Sequence, residues 1–435
     1  MMASTPTIHA QSLWNRGFIS LLFTQFFEAA SDNIIKGVIL FAVATGAPWE
    51  SVLGKGGNGI IGIIFTIPFI LLSAWGGRIA DRKSKSKLTV TLKAISLVVC
   101  ALCAIEFARG SAIGSIAALV AFATVSAFFG PVKYGMIAEL VGREKIARAN
   151  GVINMATNVA VITGTLVAGI VAMKWKMGFV DGYPSGASAW WPGGAMAIAV
   201  VLGFLTCLTL PKLPPQNPTL PINFNPFSTY SSMLREMSKG PLLAVAGAWS
   251  YFYFLAAVAL LILPDYSSFL GVTDDETAYL MGAVGIAIGV GCLSAAYLDT
   301  PARHAKFVSL GALGLAIACG LLGVAPPSYA TTALLLSLLG LTAGFYIIPL
   351  QSMLQSLAPD SSRGRVLGTA NGLSFALGLV GSGMFYLLRQ AEMPSNRVFL
   401  VLSGLSLVMA VVTYSWLKAS SASASVQRDA GPAGF

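Results

Sequence analysis

The sequence predicts an all-α membrane protein of twelve transmembrane helices, arranged as two pseudo-symmetric six-helix halves. Three observations lead there. Of 435 residues, 56% are hydrophobic and only 10% are charged, where soluble domains carry roughly a quarter charged. Many apolar runs reach the roughly 20 residues needed to cross about 30 Å of hydrocarbon. The stretch Phe128 to Gly135, followed by Ala149-Asn150-Gly151, recurs in weaker form half a chain later as Gly344 to Gln351, followed by Ala370-Asn371-Gly372. A half-length repeat among hydrophobic segments marks a chain built from two related bundles that enclose a central site.

Taken in order, the apolar segments fall at about 17–45, 57–80, 88–108, 112–131, 150–173 and 189–210, then 242–264, 277–298, 306–325, 330–350, 366–388 and 396–417. They define a first bundle over 1–210, a linker over 211–241, a second bundle over 242–418 and a tail over 419–435. Pro211, Pro214, Pro215, Pro218, Pro221 and Pro226 bar a continuous helix from the linker. Its second part, Ser228 to Lys239, reads equally as an amphipathic helix on the membrane surface or as a plain tether. The tail is rich in Ser, Ala and Gly and is expected to be disordered.

Orientation follows from the cations. Arg78, Arg82, Lys83, Lys85 and Lys87 collect in the second connection, and Arg143, Lys145 and Arg148 in the fourth. Lys212, Arg235 and Lys239 lie in the linker, and Arg303, Lys306, Arg363 and Arg365 in later even-numbered connections. Connections of this kind face the cytoplasm, which also puts both termini there. The opposite side carries the acidic run Asp274-Asp275-Glu276.

Several classes are excluded. The net charge of +10 comes from short loops rather than one face of a folded module, so lipid topology explains it better than nucleic acid does. All five cysteines lie in apolar runs, and Cys100 and Cys103 read as small hydrophobes rather than a redox or metal pair. His9 and His304 are too scattered for a metal site, and no cofactor is expected. No cleavable signal opens the chain. With no nucleophile-base pair, metal cluster or phosphate loop, an enzyme is not expected.

The polar residues inside apolar runs are the candidates for function. Glu28, Asp32 and Lys36 share one face of the first helix at four-residue spacing, with Asn33 beside them. Charged groups at that depth need partners or water. The bland reading is a self-neutralising Asp32–Lys36 pair that packs helices; the sharper one is a wall of a polar cavity. Asn150, Asn154 and Asn158 line one face of the fifth helix, where inter-helix hydrogen bonding and ligand binding weigh equally. Lys133 and Tyr134 follow Pro131 where the fourth helix is expected to end. Lys133 either snorkels to lipid phosphate or grips an anionic phosphate; Lys93 reads as a snorkelling residue.

Gly76-Gly77-Arg78-Ile79-Ala80-Asp81-Arg82-Lys83-Ser84-Lys85 resembles the signature loop of the major facilitator superfamily, with Ser84 where Gly is usual. The resemblance implies a gate: Gly77 for close helix contact, and Asp81 with Arg82 as a charge lock between the halves. Together with Ser31-Asp32-Asn33-Ile34-Ile35-Lys36, Phe128 to Gly135, Ala149-Asn150-Gly151 and Gly344 to Leu350, the chain from about Trp14 to Tyr386 resembles the lysophospholipid transporter family. It is most similar to the membrane domain that some bacteria fuse to an acyltransferase. That resemblance implies movement of lysophospholipids such as lysophosphatidylethanolamine from the outer to the inner leaflet of the bacterial inner membrane, for re-acylation inside. The motif residues it implies are Asp32, Asn33, Lys36, Lys133, Tyr134, Asn150 and Asn371.

Two departures stand out. Pro241 to Pro264 has no charged residue where family members place an Arg, and no acyltransferase His-x-x-x-x-Asp motif is present. If acylation follows transport, a separate protein is expected to perform it. The expected partners are the lysolipid, membrane lipids and such an acyltransferase, without nucleic acid, and the expected state is a monomer. On this reading Glu28, Asp32, Asn33, Lys36, Lys133, Tyr134, Asn150, Asn154 and Asn371 contact substrate, while Gly77, Asp81 and Arg82 gate. Two competing readings are a proton-coupled exporter of drugs or metabolites using Glu28 or Asp32, and a non-transporting membrane partner of an acyltransferase.

Overall fold

The structure, a computed structural model, describes residues 12–44, 47–53, 57–221, 223, 225–300, 303–326 and 328–429. His9 lies outside them. The first half comprises α1 (Arg16–Val43), the short α2 (Glu50–Leu53), α3 (Gly57–Arg82), α4 (Lys85–Ala108), α5 (Ala112–Val141), α6 (Ile146–Met177) and α7 (Trp191–Cys207). After α8 (Pro226–Met237) in the linker come α9 (Leu242–Leu270), α10 (Asp274–Leu298), α11 (His304–Val324), α12 (Tyr329–Leu357), α13 (Arg363–Gln390) and α14 (Ser395–Asp429).

Twelve of these helices are long, and eleven are apolar enough throughout to cross a membrane by length and composition, among the described residues. The exception is α1, whose apolar run is broken by Gln25, Glu28, Asp32, Asn33 and Lys36. Leu, Ile, Val and Phe project from the other helices toward lipid. Ile113, Leu166, Ile198, Leu334 and Val411 are each more than 60% exposed, and in hydrocarbon that exposure costs nothing.

The halves meet through reciprocal pairs: α3, second long helix of the first half, packs on α13, fifth of the second, and α6 packs on α10 in the same relation. That exchange of second with fifth is what a twofold relation between bundles produces. Small residues permit it. A side chain at Gly77 would run into the backbone carbonyl of Gly364, and one at Gly151 into Ala296.

Helix ends depart from the expectation where hydropathy and hydrogen bonding diverge. The fourth long helix does not stop at Pro131: α5 continues to Val141, and α12 likewise runs through Pro349 to Leu357. A proline forfeits one backbone bond, which buried helices tolerate, so hydropathy marks the hydrocarbon slab and not the helix. Lys133 and Tyr134 accordingly sit inside α5 and not at its end. α14 extends as helix to Asp429, beyond the expected boundary at 418.

A two-residue antiparallel hairpin, β1 (Phe179–Val180) with β2 (Tyr183–Pro184), joins α6 to α7. Its turn, Asp181-Gly182, has positive φ at both positions, as Asp-Gly hairpin turns do. Behind it Trp49, Phe107, Trp175 and Phe179 form an aromatic cluster at centroid spacings of 4.8–5.7 Å.

The second part of the linker forms a helix that packs on the bundle, not a plain tether. Asn225 caps α8, and its buried residues Thr229, Met233 and Met237 face α3 and α13. The Tyr230 hydroxyl donates to the Ile70 carbonyl at 2.5 Å, and Arg78 and Trp75 donate to the carbonyls of Pro221 and Asn223.

Candidate substrate site and gate

At mid-depth, α1, α4 and α5 bring together a network that no single segment announces. Glu28 is ion-paired with Lys93 of α4, and both are buried. The Ser126 hydroxyl of α5 lies 2.9 Å from Glu28 Oε1 and 2.7 Å from Asp32 Oδ2. Lys93 also sits 4.2 Å from the centre of the Phe129 ring. Lys93 is therefore not a snorkelling residue, because at 2% exposure its ammonium has turned inward to the carboxylate.

Replacing Lys93 with Met is expected to cost about 3–5 kcal/mol, the penalty for stranding a buried charge. The Glu28→Gln/Lys93→Met double variant should recover most of it. Thermal unfolding of the purified variants checks both.

Asp32 is 8% exposed, and its second oxygen, Oδ1, has no partner. The expected Asp32–Lys36 ion pair does not form. Lys36 instead lies 5.2 Å from the centre of the Phe65 ring, and Lys133 lies 4.7 Å from that of Tyr134. Neither cation joins an ion pair among the described residues. Asn33 donates to the carbonyl of Ala29 and is half-buried against Gly164.

Between the two lysines runs an aromatic arc that crosses from one half to the other. Phe65 and Phe69 of α3 lead to Phe375 of α13, stacked at 4.1 Å, then to Tyr253 and Trp249 of α9, and back to Tyr134. Sequence reasoning missed this arc. Aromatic residues three or four apart look like ordinary core on any one helix, and only the assembly shows that they join. It also accounts for α9 having no cation: that helix contributes rings there instead.

The amides predicted to bind substrate are engaged between the halves. Asn150, fully buried, accepts from Gln355 at 2.9 Å and donates to Ser352, while Asn154 donates to Gln351 at 2.8 Å. Asn371 donates to Ser73 at 3.0 Å. The inter-helix reading thus describes their contacts in this conformation. Gln351, the repeat counterpart of Lys133, turns out to be part of the seam.

The residues expected to gate lie at the basic end of the bundle. Asp81 accepts from the backbone N–H groups of Gly364 and Arg365 at 2.6 and 3.1 Å, and from the Arg365 guanidinium at 3.2 Å. Those N–H groups open α13, where the helix dipole favours an anion. Arg82 joins no ion pair among the described residues; Arg365 takes the cation's part in the lock. Lys85 pairs with Glu139 at 2.6 Å within the first half, and Arg143 pairs with Asp360 at 3.1 Å across the halves.

Every side-chain hydrogen bond between halves among the described residues lies toward this basic end. Toward the other end, side chains at Gly59, Gly62 and Gly383 of the same crossing pair would meet nothing within 4 Å. The polar contacts between the halves thus gather at the basic end.

Two six-helix halves, crossing reciprocally and locked at one end below a charged midpoint, define a membrane transporter of the alternating type. The chain belongs to the Major Facilitator Superfamily, whose pattern matches residues 21–383. Among curated proteins it is similar to the lysophospholipid transporter LplT of Cronobacter sakazakii, at 27% identity over 79% of this chain and 81% of that one. It is also similar to LplT of Citrobacter koseri, at 25% identity over 93% and 96%. Among solved structures it resembles the human organic anion transporter MFSD10 (TM-score 0.73, 14% identity, 92% of this chain and 99% of that one). It also resembles a bacterial homologue of the iron transporter ferroportin in its outward-facing state (TM-score 0.69, 14% identity, 92% and 99%). At that identity the likeness speaks to fold alone.

Proposed function

We propose that this transporter moves lysophospholipids, such as lysophosphatidylethanolamine, from the outer to the inner leaflet of a bacterial cytoplasmic membrane by alternating access. The observation that carries the reading is the pairing of Asp32, with one oxygen unpartnered, and two cations, Lys36 and Lys133, at opposite ends of an aromatic arc. A zwitterionic head needs an acid for its ammonium and a base for its phosphate, and its single acyl chain needs an apolar wall. The relatives named as lysophospholipid transporters support the same choice.

In this account Asp32 receives the headgroup ammonium and Lys36 and Lys133 share the phosphate. Asn150, Asn154 and Asn371 become available to glycerol or headgroup once the seam between the halves parts, with Asn33 and Tyr134 beside them. Glu28 fixes the geometry around Asp32. The basic end and both termini face the cytoplasm, and a separate acyltransferase takes the product from a monomeric transporter.

The test is translocation of labelled lipids in proteoliposomes that contain only the purified protein. Lysophosphatidylethanolamine should cross much faster than in protein-free vesicles, and a diacyl lipid of the same headgroup should not. Equal rates with and without protein would remove the proposal, together with the reading of the chain as a transporter of these lipids.

A further inference from the structure

We infer that Glu28, Ser126 and Asp32 form a proton-binding site, whose proton exchanges against the ammonium of an incoming headgroup. The proton site stands on geometry alone; the exchange rests on the lysolipid reading above.

The argument is a count of hydrogens. A serine hydroxyl has one hydrogen to give, yet Ser126 Oγ is 2.9 Å from Glu28 Oε1 and 2.7 Å from Asp32 Oδ2. Both separations are those of O–H···O bonds, and two ionised carboxylates offer no second hydrogen. Glu28 already faces the Lys93 ammonium and is the ionised member. Ser126 therefore donates to Glu28, and the hydrogen in the shorter contact belongs to Asp32, donating to Ser126. If Ser126 turned toward Asp32 instead, the proton would rest on Glu28, so the chain of three holds one proton either way.

The unpartnered oxygen points the same way. A buried carboxylate oxygen with nothing to bond is costly, and it is much less so when the group is neutral. Asp32 Oδ1 is in that position.

The charges facing the site come from four helices: Glu28 and Lys36 on α1, Lys93 on α4, Lys133 on α5, and the Cys207 thiol of α7 near Lys93. The neighbouring stretches of α3, Gly57 to Gly77, and of α6, Asn150 to Met173, contain no titratable residue.

The exchange balances simply. A headgroup ammonium approaching Asp32 from the end opposite the basic one makes the ionised acid the better partner. The Asp32 O–H bond breaks, the electron pair stays on the carboxylate, and the proton leaves to water. A head without an ammonium, such as that of lysophosphatidylglycerol, has no such effect.

Difference infrared spectroscopy on the full-length protein in lipid nanodiscs tests this. Without substrate, the carbonyl stretch of a protonated carboxylic acid should be present and should be lost in Asp32→Asn. It should move in Ser126→Ala, which removes the bridge, and stay in place in Ser126→Thr, which keeps a hydroxyl. Identical wild-type and Asp32→Asn spectra in that region overturn the site. Adding lysophosphatidylethanolamine should bleach the band while lysophosphatidylglycerol leaves it; bleaching by neither overturns the exchange. Because the first measurement contains no substrate, failure of the lysolipid reading would leave it untouched.

Discussion

Replacing Asp32 with Ala is expected to cut lysophosphatidylethanolamine uptake into spheroplasts by at least tenfold while the protein still reaches the membrane. A hydrogen bond between charged partners is worth about 1.5–3 kcal/mol, and each 1.36 kcal/mol is tenfold in rate, so a loss of roughly 10- to 150-fold follows from one missing contact. Folding should survive because the side chain's partner in the protein is the Ser126 hydroxyl, which keeps Glu28 as acceptor. The Glu28–Lys93 pair is untouched. Uptake measured at equal amounts of membrane protein decides it, and wild-type uptake in the variant would remove Asp32 from the site.

Replacing Asp81 with Ala is expected to open the basic end. The carboxylate is fully buried at the start of α13, where it holds two backbone N–H groups and the Arg365 guanidinium. Removing a buried, charge-bearing partner costs about 3–5 kcal/mol, and only in the closed arrangement do these groups meet. The balance between conformations should therefore shift roughly 100-fold or more away from closure.

A cysteine introduced at Ser73, buried against Asn371 in the closed seam, reports this in a background freed of the five native thiols. Its modification by a water-soluble thiol reagent should be fast in Asp81→Ala and slow in the parent. Gly77→Val should behave alike for a steric reason, because its side chain would meet the Gly364 carbonyl. Equal labelling in all three would show that this contact does not set the conformation.

The fold was largely legible because bilayer thickness and the half-length repeat constrain it so tightly. Of the residues expected to form a lock, Gly77 and Asp81 do touch the opposite half, yet the cation that meets Asp81 is Arg365, about two thirds of the chain away from Arg82. A local motif names the residue that reaches across and is silent on what it reaches.

Lys93 shows the same limit. A lysine near a helix start has water within reach of its long stem, so snorkelling is the economical assumption. Only the packing of α1 against α4 and α5 brings Glu28 to it. The Asp32–Lys36 spacing invited a pair along one helix face, but neighbouring helices offered each residue another partner, Ser126 for the acid and Phe65 for the base.

The ends expected at 131 and 350 follow hydropathy, which marks the hydrocarbon slab, whereas α5 and α12 run on through Pro131 and Pro349. Proline is a strong stop signal in water, where a broken backbone bond is readily rehydrated. In a packed membrane bundle the rest of the helix has nowhere better to go. The Asp181-Gly182 hairpin was present in the sequence as a turn dipeptide and was overlooked in a chain read as wholly helical.

The central claim is that the two halves rock about a headgroup site, with one end closing as the other opens. Spin-label distances between Lys87 and Lys306 at the basic end, and between Ile113 and Tyr329 at the other, test it most directly, since all four positions are exposed. With lysophosphatidylethanolamine added in nanodiscs, the first distance should gain a longer component while the second gains a shorter one. If both distributions stay the same, or both move in the same direction, the alternating account is wrong.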